Sequence, residues 1–460
     1  FLIMHYLRRD NERLVSNETV LTTAASPSNE SSQECHRGVG SLATVFLLVN
    51  ATLGAGLLNF PQAFDKTGGI GTAVSVQLVF LVFITAAIVV LACCSDTTNS
   101  SSMQDTLAGL CGPKSLTFCA ICVAVYSLGC CVTFLIIIGD QFDRLLATYY
   151  GNDFCHYWNL SRGFTVTITC CIFILPLCFS KRLEVLSYAS SLGCVAVLYV
   201  VWLIIYKSPI INGEPSKPLR TWPDQWTEIF QIVPVVCFSY QCHMSVIPTY
   251  ACMKNRQLGK FTSCAIISML ICFIAYTIAG IFGYSTFGTG HVPGDILQGY
   301  SDGGTFLTVA ILAIVLKNFT TYPIILFCGR EALLGLCPEY IQSLLLPRAI
   351  LSLVWIALTL VIAILVPDIS PVINLMGSLS AAFIFIFPGV CLLQNTLIKD
   401  PDLCLNKDKF LVLMAVLMLA IGAFVCGVVF VESIDDILKE KPTPALITGF
   451  RVGLRDSLCS

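Results

Sequence analysis

Eleven apolar stretches run through this chain, over residues 39–64, 69–94, 115–147, 163–180, 184–206, 227–249, 262–287, 305–329, 345–366, 371–397 and 408–431. Each is near or above the roughly twenty residues that a helix needs to cross the hydrocarbon of a bilayer. Lipid offers backbone amides no partners, so continuous apolar runs of this length must satisfy their own hydrogen bonds as helices. The expected fold class is therefore all-α and integral to the membrane, with the lipid bilayer as an obligatory partner. Composition agrees, with 56 % of residues hydrophobic and 12 % charged. The 26 basic residues nearly balance 28 acidic ones, which leaves no overall charge to attract nucleic acid. Most of the 24 cysteines lie inside the apolar runs, as in Cys93-Cys94, Cys130-Cys131 and Cys170-Cys171, where cysteine acts as a small hydrophobe.

Two of the spans are interrupted. In the first, Asn50-Ala51-Thr52-Leu53-Gly54-Ala55-Gly56-Leu57-Leu58-Asn59-Phe60-Pro61 places two glycines at membrane depth. Such a helix-weakening turn survives there only if it lines a cavity or holds a ligand. In the sixth, Val233-Pro234 opens a run that passes through Cys237-Phe238-Ser239-Tyr240-Gln241-Cys242-His243 to Val246-Ile247-Pro248. Spans one to five and six to ten form two sets of five, and an odd set turns the second repeat upside down. Broken helices at matching places in two inverted halves are the pattern of a transporter that holds its substrate near the midplane.

Residues 1–38 are polar and read as a disordered cytoplasmic tail, residues 39–431 as the membrane domain, and residues 432–460 as an outer or lumenal tail. The start at Phe1, without Met, is what a trimmed or misassigned beginning would leave, and the first span can itself direct insertion. With the N-terminus in the cytoplasm, inner loops carry eleven basic residues, among them Lys254, Arg256 and Lys260, and outer loops six, the expected bias. Asn159 is then the only outer sequon, and Asn17 and Asn29 stay unmodified.

An amino acid brings a carboxylate and an ammonium. The free amides of Gly54, Ala55 and Gly56 at a helix N-terminus suit the carboxylate. Freed carbonyls of the two unwound segments, with the hydroxyls of Thr52 and Ser239, suit the ammonium or a cation. The alternative is that the glycines only pack helices closely. Valine at Gly54 or Gly56 is expected to abolish transport while leaving the chain in the membrane. In the eighth span, Thr320 and Thr321 offer hard oxygen donors to a cation, or bond a carbonyl one turn back. His243 could bond a substrate or a freed carbonyl. Asp140, towards the outer end of the third span, is costly unless paired or wet.

At these motifs the chain is similar to the sodium-coupled neutral amino acid transporters, solute carrier family 38 of the amino acid/auxin permease superfamily. The likeness runs from about Ser41 to Phe430 and is carried by NATLGAGLLNFPQAF, FLIIIGDQ, CFSYQCHMSVIP, TTYPIILFCGR and FIFIFPG, nearest to members resembling the seventh and eighth paralogues. The resemblance implies the LeuT-type five-plus-five inverted repeat with an eleventh helix, acting as a monomer at the plasma membrane or the lysosome. It implies glutamine and other small neutral amino acids as substrates, with no cofactor beyond sodium as coupling ion. It further implies Asn50 and Thr321, with Thr320 beside it, as parts of the sodium site, and the backbone of Gly54 to Gly56 and of Phe238, Ser239, Tyr240 and on to His243 as the substrate cradle.

One residue departs from the family pattern. Lys317 lies one turn before Thr321, on the face of both threonines. A buried ammonium there would stand in for sodium and yield a sodium-independent or proton-coupled carrier. The milder expectation, which we favour, is a lysine that snorkels elsewhere or pairs with a carboxylate. Two other classes fit less well. An amino acid sensor would need a tail with large apolar anchors, and residues 8–38 have few. A membrane enzyme would need a convergent motif such as HExxH or GxSxG, and none occurs.

Overall fold

The first span is two helices rather than one. In the computed structural model, which describes residues 39–150, 157, 160–179, 183–212, 218–254, 256–300, 304–342, 344–366, 368–400 and 406–439, α1 (Ser41–Thr52) ends at the glycine motif. A short 3-10 turn, Ala55–Leu58, leads into α2 (Phe60–Lys66), with Pro61 in its first turn, where a missing N–H costs nothing. The two halves diverge by 51°. Residues 1–38, Asn159 and residues 440–460 lie outside the described residues.

The other spans follow in order. They are α3 (Ile70–Thr98), α5 (Pro113–Tyr150) after the amphipathic connector α4 (Met103–Cys111), α6 (Arg162–Cys178) with a π turn at Cys170–Ile174, and α7 (Leu183–Tyr206). The sixth span is again split, into a 3-10 entry Trp226–Ile232, α8 (Val233–Ser239) and α9 (His243–Ala251). Then come α10 (Leu258–Phe287), α11 (Thr305–Leu334), α12 (Leu345–Leu365), α13 (Ile369–Lys399) and α14 (Asn406–Lys439). Among the described residues eight helices are long and apolar enough to cross a membrane, nine with the bent first span. The shorter apolar helices Arg162–Cys178 and Gly193–Tyr206 complete the expected eleven. The last helix runs on to Lys439, past the boundary expected at 431.

The broken helices sit inside. The most apolar windows of α3 and α5 are 67 % and 78 % buried, while those of α12 and α14 are 28 % buried and turn Leu346, Ile350, Val361, Leu413 and Phe424 outward. A helix that is apolar all round is stable only in lipid or in a large core, so the periphery of this protein belongs to the bilayer. The eighth span, α11, packs along the third and fifth. The seventh, α10, packs against both halves of the first, and α8 lies on the tenth. Both ends of the central group are closed. At one end Arg256 pairs with Asp96 at 3.0 Å, and the Tyr250 hydroxyl donates to the same carboxylate at 2.7 Å. At the other end Asp65 accepts from the Gly290 amide at 2.9 Å, and Asn59 donates to the Gly294 carbonyl at 2.9 Å. No disulfide joins the described cysteines.

Candidate functional site

Where α1 stops, its last carbonyls lose their helical donors, and two side chains from distant spans take them. The Tyr276 hydroxyl of α10 lies 2.7 Å from the Thr52 carbonyl and 3.1 Å from the Ser239 carbonyl at the end of α8. One hydroxyl thus ties the two breaks together. Its ring is held by Phe60, stacked at 4.4 Å, and by Tyr240 at 5.1 Å. The ammonium of Lys317 donates to the next carbonyl, that of Leu53.

The breaks also touch directly. A Cβ on Gly56 would stand 1.9 Å from Ser239 Oγ and 2.8 Å from Ser239 Cβ, whereas one on Gly54 would meet nothing nearer than the Thr52 carbonyl at 3.8 Å. Gly56 is therefore a packing glycine, and Gly54 faces open space. That space is a cavity of about 10 Å³ lined by Gly54, Ala55, Leu57 and Leu58 of the first span, Ile137 of the third, and Ile314, Lys317 and Asn318 of the eighth. It is far smaller than an amino acid.

The expected site residues divide. Gly54, Ala55 and Lys317 line the cavity. The 3-10 turn at Ala55 starts without a capping side chain. Ser239 is buried beside Gly56, and its hydroxyl has no partner among the described residues. Thr52 donates back to Leu48 O at 2.8 Å, and Thr320 and Thr321 both donate to Lys317 O at 2.8 Å. These hydroxyls keep lone pairs for a cation, but in this conformation they bond within their own helices. Asn50 Oδ1 accepts from Cys194 Sγ at 3.3 Å. Three residues turn away from the cavity or stand outside it. The Tyr240 hydroxyl accepts from Gln77 at 2.7 Å, His243 Nδ1 lies 2.9 Å from Gln241 Oε1, and Phe238 is buried in the core. Asp140 is paired, with Arg162 Nη1 at 2.5 Å and Asp143 sharing the guanidinium at 3.1 Å.

Lys317 departs from the milder expectation. It neither snorkels nor meets a carboxylate. It is 7 % exposed, its stem passes over Gly193 of α7, and a Cβ at that glycine would lie 2.7 Å from its Cγ. Three residues that sequence reasoning did not single out complete the site. Asn318 is 3 % exposed, lines the cavity, and has no partner for Nδ2 among the described residues; its place beside Lys317 was the available signal. Tyr276 and Gly193 carry no local signal, because their roles depend on helices distant in sequence.

The fold class these features define is the LeuT type: five-plus-five helices with the first and sixth broken, plus an eleventh. MhsT in complex with L-phenylalanine superposes with a TM-score of 0.53 at 12 % identity, covering 88 % of this chain and all of that one. A manganese transporter of Eremococcus coleocola gives 0.56 at 12 % identity, covering 91 % and 92 %. Residues 37–434 match the family described as transmembrane amino acid transporter protein, and the chain belongs to that family. It is 37 % identical over 428 residues to the Danio rerio sodium-coupled neutral amino acid transporter 7, covering 90 % of this chain and 91 % of the relative. The Homo sapiens protein of that name is 36 % identical over 432 residues, covering 91 % and 93 %. Solute carrier family 38 member 8 of Mus musculus is 34 % identical over 372 residues, covering 78 % and 85 %.

Proposed function

We propose that this chain is a secondary active transporter of neutral amino acids, glutamine-like ones first, driven by sodium and working by alternating access around its two broken helices. The observation that carries the reading is that the two breaks meet, tied by the Tyr276 hydroxyl, beside a cavity that has the uncapped backbone of the first break on one wall and Lys317 and Asn318 on the other. Relatives named sodium-coupled neutral amino acid transporters support the substrate class and the ion.

In this reading the uncapped end at Gly54, Ala55 and Gly56 receives the substrate carboxylate. The hydroxyl of Ser239 and the backbone from Phe238 through Tyr240 to His243 form the opposite wall, with Thr52 at the rim. Asn318 Nδ2, a buried donor without a partner among the described residues, finds its acceptor in the substrate, which removes the cost of burying it. Asn50, Thr320 and Thr321 offer the oxygen donors a sodium ion takes. The chain works as a monomer in the plasma or lysosomal membrane with its N-terminus in the cytoplasm. The inner pair Arg256–Asp96 and the outer contacts of Asp65 and Asn59 then open in alternation.

Uptake of labelled glutamine into proteoliposomes, with sodium or choline outside, tests the reading. Concentrative uptake that needs sodium is expected, and Thr321→Ala or Asn50→Ala should raise the sodium concentration required more than they lower maximal flux. Failure to move any neutral amino acid would refute it.

A further inference from the structure

The end of α1 carries the negative pole of a helix, with carbonyls freed by the break. This is the kind of position at which transporters of broken-helix design bind a coupling cation. Here a cation already belongs to the chain. Lys317 is buried, its ammonium donates to the Leu53 carbonyl, and no described carboxylate neutralises it. The titratable groups that act on it are the thiols of Cys194 and Cys272. The absence of a side chain at Gly193 opens the channel through which its stem reaches the break. An ammonium so expensive to bury is placed where the backbone field alone rewards it.

We propose that Lys317 is a tethered cation that holds the position at the end of α1, so that its ammonium and a free monovalent cation exclude each other there. This rests on the transport reading above and deepens it by assigning a competitor for the ion. Two unit charges about 4 Å apart repel strongly enough, even at a protein-like effective dielectric, to weaken the binding of a second cation by orders of magnitude. Sodium therefore gains the Leu53 carbonyl only when the lysine swings away. While the lysine holds the Leu53 carbonyl, the break does not stand uncompensated.

The test is a sodium titration of thermal stability on the purified full-length protein, with choline holding ionic strength constant, so that the readout does not require transport. Lys317→Met keeps the stem against Gly193 and removes the charge. It should lower the half-saturating sodium concentration at least tenfold, and Lys317→Ser should do the same, while Lys317→Arg keeps the wild-type response. Equal half-saturating sodium in wild type and either uncharged variant would overturn the proposal. If neither uncharged variant folds, the wild type decides: half-saturation at low sodium overturns the proposal, and half-saturation reached only at high sodium supports it. Glutamine uptake by the wild type, measured separately, tells failure of the lysine assignment from failure of the transport reading.

Discussion

The two glycines of the first break make a test in which one added methyl gives opposite outcomes two residues apart. At Gly56 the new Cβ would stand 1.9 Å from Ser239 Oγ, which can rotate away, but also 2.8 Å from Ser239 Cβ and 3.1 Å from its Cα, which cannot. Carbon atoms pack at roughly 3.5–4.0 Å, so α8 must move by several tenths of an ångström, and overpacking of this kind costs about 1–3 kcal/mol. At Gly54 the nearest atom is 3.8 Å away and φ is −138°, an ordinary extended value. Alanine there costs nothing sterically and gains about 0.4–1 kcal/mol by narrowing the unfolded ensemble. Thermal midpoints in detergent should therefore fall for Gly56→Ala and hold or rise for Gly54→Ala. In uptake, Gly54→Ala should still be impaired, because its methyl enters a cavity of about 10 Å³. Valine at the two positions should differ in the same way, with transport alone lost at Gly54 and folding lost at Gly56. Ser239→Gly removes the obstructing side chain and should restore part of the stability of Gly56→Ala. Equal destabilisation by the two alanines, or no rescue by Ser239→Gly, would refute the packing argument.

Three further outcomes follow from the same geometry. Tyr276→Phe keeps the ring stack on Phe60 but strips the donor from Thr52 O and Ser239 O. Leaving buried acceptors unpaired costs about 1–3 kcal/mol, so the thermal midpoint should drop, and a wild-type midpoint would show that the clamp between the breaks contributes nothing. Asn318→Leu removes an orphaned buried amide, so stability should hold or rise while glutamine uptake falls at least tenfold; normal uptake would remove Asn318 from the substrate wall. Asp295, in the loop after the seventh span, accepts from Gln141 at 2.5 Å, and burial, with Asp140 nearby, pushes its carboxyl up from 3.8 to about 8. A raised carboxyl gives the folded state a proton that the unfolded chain releases, so this contribution to stability is complete below about pH 4 and lost as pH rises through about 8. The decline should be absent in Asp295→Asn, measured as thermal midpoint against pH; an unchanged decline would assign it to another group.

Much of this protein is local, and what is local was legible. Spans read from hydropathy agree with the helices, and both breaks fall where glycine, proline and polar residues interrupt apolar runs, because helix continuity is decided within a turn or two of the chain. The family likeness rests on those same runs. Which way each side chain faces is another matter. A helix in lipid is apolar on nearly every side, so its pattern carries little signal for rotation about its own axis. Only the packed bundle decides that Lys317 turns into the break over Gly193, that Tyr240 turns away to Gln77, and that Gly56 rather than Gly54 is pinned against Ser239. Tyr276 bonds two carbonyls on separate halves of the chain, a role that exists only once three helices distant in sequence have been brought together by tertiary packing.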